Sequence, residues 1–402
     1  MSTRAPSFDP SAPVALAVCR AYDPDMLCAH IPALLEQIGV TPAFFSGKSV
    51  VIKPNLVMKK PAEHAATTHP AVLDALLSYL DGCECREVVI AESMGGPYTE
   101  PALRAVYRVC GIEDAVAGHR ARLNFDVTSA PLTAQDGRAC KSFEIITPIA
   151  QADVVINLCK LKSHSLTRMS GAIKNTFGCI PGLTKFEFHA RFPDYADFNR
   201  MIVDLSAMLH AHTDMIDLCD AIVGMEGNGP TGGTPRTVGC LLASRNPFAL
   251  DCAGEALLNC IGEVPMVNEA RTRGFAPAEI SDLHITGGDL KALAVCDFAP
   301  PDTARKSKNP LHWLPKLFGG KIYAWFAPRP TIRLSTCIGC GECERSCPVH
   351  TIEMRTDKKG KKKAHIKPDA CIRCFCCQEL CPIHSVDIRR NGILGLLAAA
   401  RR

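Results

Sequence analysis

The stretch Cys337-Ile338-Gly339-Cys340-Gly341-Glu342-Cys343-Glu344-Arg345-Ser346-Cys347-Pro348 recurs 34 residues later as Cys371-Ile372-Arg373-Cys374-Phe375-Cys376-Cys377-Gln378-Glu379-Leu380-Cys381-Pro382. Each copy sets three cysteines two residues apart, adds a fourth after three more, and closes on proline. The likeness continues into Val349-His350-Thr351-Ile352 and Ile383-His384-Ser385-Val386, so this is an internal duplication, each half a loop followed by a helix and a strand. Three thiolates at that spacing wrap one cubane from a single loop. The fourth cysteine, on the following helix, faces the other half and serves the other cluster. The proline ends loop-type hydrogen bonding and fixes the turn. The pattern predicts two [4Fe-4S] clusters, one on Cys337, Cys340, Cys343 and Cys381, the other on Cys371, Cys374, Cys377 and Cys347. Ile338, Val349, Ile352, Ile372, Ile383 and Val386 are expected to form a small core between them. Zinc is the competing metal, but ribbons pair two CxxC knuckles across a gap and need neither a third step nor a Cys-Pro ending twice.

Over about 55 residues the pattern resembles the bacterial-type two-cluster ferredoxin family, which implies an α+β fold for a C-terminal domain at 333–390. Cys376 is extra, standing where the first half has Glu342, and reads as a non-ligand. Lys358, Lys359, Lys361, Lys362 and Lys363 around Gly360 read as a solvated hairpin tip in preference to a docking site for an acidic partner. From Arg333 to Arg390 there are 12 Lys/Arg and 7 Asp/Glu, or +5. Two oxidised four-thiolate sites at about 2− each bring this to about +1. The basic bias mostly offsets the clusters. It gives no argument for nucleic acid, and neither does the +4 of the whole chain of 402 residues.

Of 22 cysteines, 13 lie singly in the first 296 residues, which reads as small buried hydrophobes in a reducing compartment. Met1–Pro13 has no apolar signal-type run, and no apolar run reaches the ~18–20 residues of a membrane helix. A cytoplasmic protein without a membrane span is expected.

Residues 1–299 alternate strand patterns (Val14–Cys19, Ser49–Lys53, Glu87–Ala91, Asp153–Leu158, Met215–Asp220, Val238–Ala243) with helical ones (Pro70–Asp81, Pro101–Cys110, Asp197–His212, Asn246–Cys260, Val264–Arg273). That alternation predicts a large α/β domain with a mainly parallel sheet. Residues 300–332, rich in proline and holding Trp313 and Trp325, read as a linker that packs on something, and 391–402 as a tail.

Polar groups cluster just past the expected strand ends, where α/β proteins place their sites. Ser49–Ile52 of the second strand pattern runs into Lys53. Lys160, Lys162 and His164 follow Asp153–Leu158, Lys174 lies in Gly171–Gly178, and Glu226 opens a glycine-rich run. If these converge, Lys53, Lys160, Lys162 and Lys174 make an anionic pocket with His164 and Glu226 as acid/base candidates. Neither a dinucleotide fingerprint nor a phosphate-loop motif is present.

Val51-Ile52-Lys53-Pro54-Asn55-Leu56, Thr67-Thr68-His69-Pro70, Asn157-Leu158-Cys159-Lys160-Leu161-Lys162-Ser163-His164, Gly171–Gly178, Met225–Pro230 and Ala249-Leu250-Asp251 together resemble the family called domain of unknown function 362, over about residues 45–290. A ferredoxin domain after that domain is a common arrangement there. Cys159 departs from an expected proline, which predicts a less fixed backbone turn.

The leading expectation is an iron–sulfur oxidoreductase. It takes electrons from a redox partner protein or other reduced donor and passes them to a small anionic substrate or cofactor in the α/β domain. One alternative is a non-enzymatic electron carrier or redox-linked maturation factor acting on a protein; another is a structural or sensing role for the clusters without turnover. A closed, lysine-lined pocket beside a cluster favours the first. An exposed apolar patch favours the second.

Overall fold

A computed structural model describes residues 7–303 and 327–389. Trp313 and Trp325, most of the expected linker and the expected tail lie outside the described residues.

Nine strands form one sheet: β1 (Val14–Val18), β2 (Ser49–Pro54), β3 (Glu87–Ile90), β4 (Arg122–Leu123), β7 (Val154–His164), β8 (Arg168–Ser170), β9 (Asp214–Glu226), β10 (Thr234–Ser244) and β11 (Ile285–Thr286). A separate hairpin pairs β5 (Ser129–Thr133) with β6 (Ser142–Ile146). The main order is β11-β1-β10-β9-β7-β2-β3-β4, with β8 hairpinned onto β7. From β9 to β4 every neighbour is parallel, while β10 is antiparallel to both β1 and β9. The mainly parallel α/β expectation therefore holds.

All six residues of β2 and all eleven of β7 are buried, as central parallel strands covered on both faces should be. Alternation sends successive side chains to opposite cores. Val50, Ile52, Val154 and Ile156 meet helices α1 (Pro24–Gln37) and α2 (Pro70–Asp81), near α3 (Glu100–Val109) and α4 (Ile112–Val116). Val51, Val155 and Cys159 meet α8 (Tyr195–His212), α9 (Pro247–Leu257) and α10 (Pro265–Thr272), near the short α5 (Thr147–Ala150) and α6 (Ala172–Asn175) and α7 (Thr184–Arg191). Helix starts follow their caps. The Asp194 carboxylate accepts from the Ala196 and Asp197 amides, and Asn246 accepts from Phe248 and Ala249 ahead of Pro247. Helix α1 was hidden in the sequence because Pro24 and Pro32 interrupt its period, yet Leu27, Ile31, Leu34 and Leu35 bury one face.

One difference matters for the site. Lys160, Lys162 and His164 do not follow a strand; they lie inside β7, which runs six residues past the expected end. Pairing with β9 and then β8 satisfies the backbone there, so charged residues do not end the strand. Cys159 is accordingly mid-strand and fully buried, and the turn expected beside it does not exist.

The C-terminal domain pairs β12 (Arg329–Ile332) with β15 (Val386–Arg389), and β13 (Ile352–Thr356) with β14 (Lys362–Ile366). Two one-turn helices, α11 (Glu342–Arg345) and α12 (Cys376–Glu379), follow the cysteine loops. Lys358, Lys359 and Lys361 form the exposed tip of the β13–β14 hairpin, whereas Lys362 is exposed on β14 itself and Lys363, half-buried there, donates to the Cys337 carbonyl of the first cysteine loop. The duplication is visible in the backbone. Left-handed residues recur at the same offset: Gly339 with Arg373, Gly341 with Phe375, and His350 with His384. Ile352 and Val386 are in the small core and Val349 packs against it, but Ile372 does not join it, and neither do Ile338 and Ile383, 64% and 38% exposed. Their loops turn them outward beside the first cysteine set.

Candidate functional site

Each of the two expected cysteine sets lines a cavity of its own. One cavity is lined by Cys337, Cys340, Cys343 and Cys381; a second is lined by Cys347, Cys371, Cys374 and Cys377, with Cys376 also on its wall. Burial pushes the Cys343 thiol up to about 12, and the charges that add to this are Cys340, Cys381 and Cys337. Cys377 is pushed up first by burial and then by Cys374, Cys371, Cys343 and Cys347. In each half a backbone N–H points at the sulfur of the fourth cysteine: Thr351 N–H to Cys347 Sγ at 3.3 Å and Ser385 N–H to Cys381 Sγ at 3.1 Å. Buried thiols such as Cys343 and Cys377, crowded by other thiols, are a donor set that a cationic iron–sulfur core relieves, so these residues fit the group.

A lysine-lined cavity of about 70 Å³ lies between the two domains. It is walled by Lys53, Asn55, Glu92, Lys162, His164, Lys174, Asn175, Lys185, His189 and, from the cluster domain, Glu379 and Leu380. Lys53, at the end of β2, donates to Glu92 Oε2 at 2.8 Å, the Pro54 carbonyl at 2.9 Å and Asn175 Oδ1 at 3.2 Å. Lys162 donates to Asn55 Oδ1 at 2.7 Å and to the Ala66 carbonyl. Burial brings its ammonium down to about 7. Lys185 donates to the Ser93 carbonyl, Ser93 Oγ and the Met94 carbonyl at 2.6, 3.0 and 3.3 Å, and burial brings it down to about 7 as well. Lys174 is half-buried, with its ammonium 4.4 Å over the Phe177 ring; it makes no hydrogen bond among the described residues.

His164 accepts at Nδ1 from the Leu166 amide at 3.1 Å. Its ring proton is therefore on Nε2, which lies 4.0 Å from Glu379 Oε2. Burial holds this imidazole well below its usual range, so it is a neutral donor facing the cavity. His189, stacked on Phe198 at 4.3 Å, is likewise neutral, brought down to about 3 by burial.

The structure thus brings Lys53, Lys162, Lys174 and His164 together but not Lys160 or Glu226. The pairing of β7 with β9 slips between Lys160 and Lys162. Lys160 turns to Asp220 Oδ2 at 2.7 Å and Tyr22 Oη at 2.8 Å, a separate buried group next to His69 stacked on Tyr22. Glu226 ends β9, accepts from the Ala299 amide at 3.0 Å and faces Arg236. Lys185, Glu92 and Glu379 were not found as candidates from the sequence. Lys185 sits on a short helix with little apolar period, and Glu379 belongs to another domain, so no spacing rule connects either to Lys53.

Cluster-domain residues seal the wall. The Thr231 hydroxyl donates to the Glu379 carbonyl at 2.6 Å, Gln378 Nε2 donates to the Asn228 carbonyl at 3.0 Å, and Lys60 meets His384. A cleft of about 610 Å³ lies on the far side of His189, lined by Phe192, Tyr195, Phe198 and residues 372–375. Among the described residues its lining holds no lysine, and its rim includes Thr303 and Ala327.

A family model described as domain of unknown function 362 matches residues 50–255, and one described as a 4Fe-4S dicluster domain matches residues 336–385. A thylakoid-associated protein of Synechocystis sp. is 31% identical over 250 residues, 59% of this chain and 72% of that protein. Among solved structures, lactate racemase apoprotein from Thermoanaerobacterium thermosaccharolyticum aligns at 15% identity and TM-score 0.39 over 61% of this chain and 57% of that one. A Thermotoga maritima protein aligns at 13% and 0.36 over 58% of each chain. The alignment thus spans under three-fifths of each of those two structures. Among the described residues no helix is long and apolar enough to cross a membrane.

Proposed function

This chain belongs to the family of domain of unknown function 362 and carries a 4Fe-4S iron–sulfur domain behind it, and from that premise we propose that it is an oxidoreductase delivering electrons to a small anionic substrate or cofactor in the lysine-lined cavity. Two [4Fe-4S] clusters, on Cys337, Cys340, Cys343 and Cys381 and on Cys371, Cys374, Cys377 and Cys347, would supply single electrons. The observation that carries this reading is the shared wall: Glu379 and Leu380, which close the cavity, continue the short helix that holds Cys377. Lys174 and Lys162 attract the anion, and the neutral His164 Nε2–H donates to it. The packing of Leu380 against Gly95 excludes water on that side. With none of the cysteines in a disulfide and eight of them assigned to the clusters, the protein suits a reducing compartment such as the cytoplasm.

The test is anaerobic. Protein carrying its full complement of iron and sulfide is reduced, freed of reductant and mixed with a panel of small oxyanions while cluster absorption is followed. Re-oxidation by some of the panel is expected, and should be lost in Lys174→Met at unchanged iron content. If no small molecule re-oxidises the protein faster than buffer, the enzymatic reading fails.

A second reading, an electron carrier or maturation factor gripping a protein, has its own observation. Leu334, Ile338 and Ile383 are 45%, 64% and 38% exposed around the first cysteine set. The same apolar rim suits a docking redox partner in the first reading. Re-oxidation by a protein acceptor and by no small molecule would select the second.

A further inference from the structure

The cavity has more positive charge than its own residues neutralise. Four lysines (Lys53, Lys162, Lys174, Lys185) face two carboxylates (Glu92, Glu379); Lys162 and Lys185, brought down to about 7 by burial, are only partly charged at neutral pH, and both histidines are neutral. Lys53 is paired with Glu92, and the three protons of Lys185 are all taken by Ser93 and Met94. That leaves the ammonium of Lys174, one N–H of Lys162 and the Nε2–H of His164 as donors without an acceptor at hydrogen-bond distance among the described residues. The Glu379 carboxylate lies among them but makes no hydrogen bond among the described residues; His164 Nε2 is 4.0 Å away. It is 21% exposed, so it can leave toward solvent. A buried excess of cation with three convergent donors is a site for an oxyanion. The size is limited as well. At roughly 10–15 Å³ per water, about 70 Å³ holds around five waters.

We propose that the cavity is a specific site for a small oxyanion, of the size of phosphate, sulfate or a short carboxylate, which binds Lys174, Lys162 and His164 and displaces the Glu379 carboxylate. This rests on the cavity being the substrate site, and it narrows the substrate to that class, excluding a nucleotide. Glu379 then acts as a built-in competitor. It is carried on the turn that holds Cys377, so occupancy of the cavity is coupled to the cluster domain.

The test is calorimetric titration of the iron-loaded full chain with inorganic phosphate, with adenosine monophosphate as the oversized control. Saturable one-site phosphate binding and no saturable nucleotide binding are expected. Glu379→Gln should tighten phosphate about tenfold, and Lys174→Met should weaken it about tenfold or more, as charge-assisted bonds of this kind do. Iron content of each variant reports whether the cluster domain has folded. Absence of phosphate binding in both wild type and Glu379→Gln would overturn the proposal. So would nucleotide binding as tight as phosphate, or affinity indifferent to both substitutions. The measurement involves no electron transfer, so an inert redox assay leaves it standing, and a positive redox assay does not rescue it.

Discussion

His164 Nε2 on strand β7 lies 4.0 Å from Glu379 Oε2 on the helix that carries Cys377, with the lysine-lined cavity around them. Two domains that share no strand or core cluster meet at this pair. His164→Ala removes a donor to an anionic ligand while leaving every cysteine in place. A charge-assisted hydrogen bond of about 1.5–3 kcal/mol predicts anion-dependent re-oxidation about 10- to 100-fold slower, with iron content unchanged. Full activity in this variant would remove His164 from the site.

Anion affinity should depend on pH through Lys162. Its ammonium is brought down from 10.5 to about 7 by burial, the largest cause, among Lys53, Lys160, Lys174, Lys185, Glu92 and Glu379, with His164 and His189 neutral. Above about 7 the folded protein loses this charge, so affinity falls as pH rises through that value. Between about 7 and 10.5 the unfolded chain holds the proton and the folded one does not, so this group's penalty to stability shrinks as pH rises. Sulfate, whose charge is constant, is the ligand to titrate across this range. Affinity that rose with pH would contradict the assignment, and Lys162→Met should weaken the dependence to what Lys185, also brought down to about 7, contributes.

The crossed ligand sets predict which signal each cysteine controls. Cys381→Ser should remove the cluster of the first loop, and Cys347→Ser that of the second. Each should lower iron from about eight to about four per chain. Cys376→Ser should leave iron near eight. EPR of the reduced variants, which separates coupled from isolated clusters, checks this. Retention of both clusters in Cys381→Ser would break the crossed arrangement.

A glycine tests the buried ion pair. A Cβ at Gly178 would come 2.4 Å from Glu92 Oε1 and 2.6 Å from Lys53 Nζ. Neither group can retreat, since Lys53 is held by three acceptors and Glu92 by the Leu56 and Ser93 amides. Gly178→Ala should cost about 1–3 kcal/mol by thermal unfolding and weaken anion binding, with cluster content unaffected. A melting curve identical to wild type would show that the pocket gives more readily than its packing implies.

The cysteine pattern, the duplication and the alternation of strands with helices were all legible in the sequence, because each is set by local spacing. Covalent intervals place three thiolates on one loop, and period-2 and period-3.6 burial mark Val50–Ile52 or Leu73–Leu80 whatever their neighbours. What only the tertiary structure decided was which polar groups meet. Lys160 and Lys162 are two residues apart and look equivalent in the sequence, yet the slip between β7 and β9 sends one to Asp220 and the other to the cavity. Lys185 and Glu379 reach the same cavity from a weakly patterned helix and from another domain. Their company depends on how elements pack across long sequence separations, and no residue spacing encodes that packing.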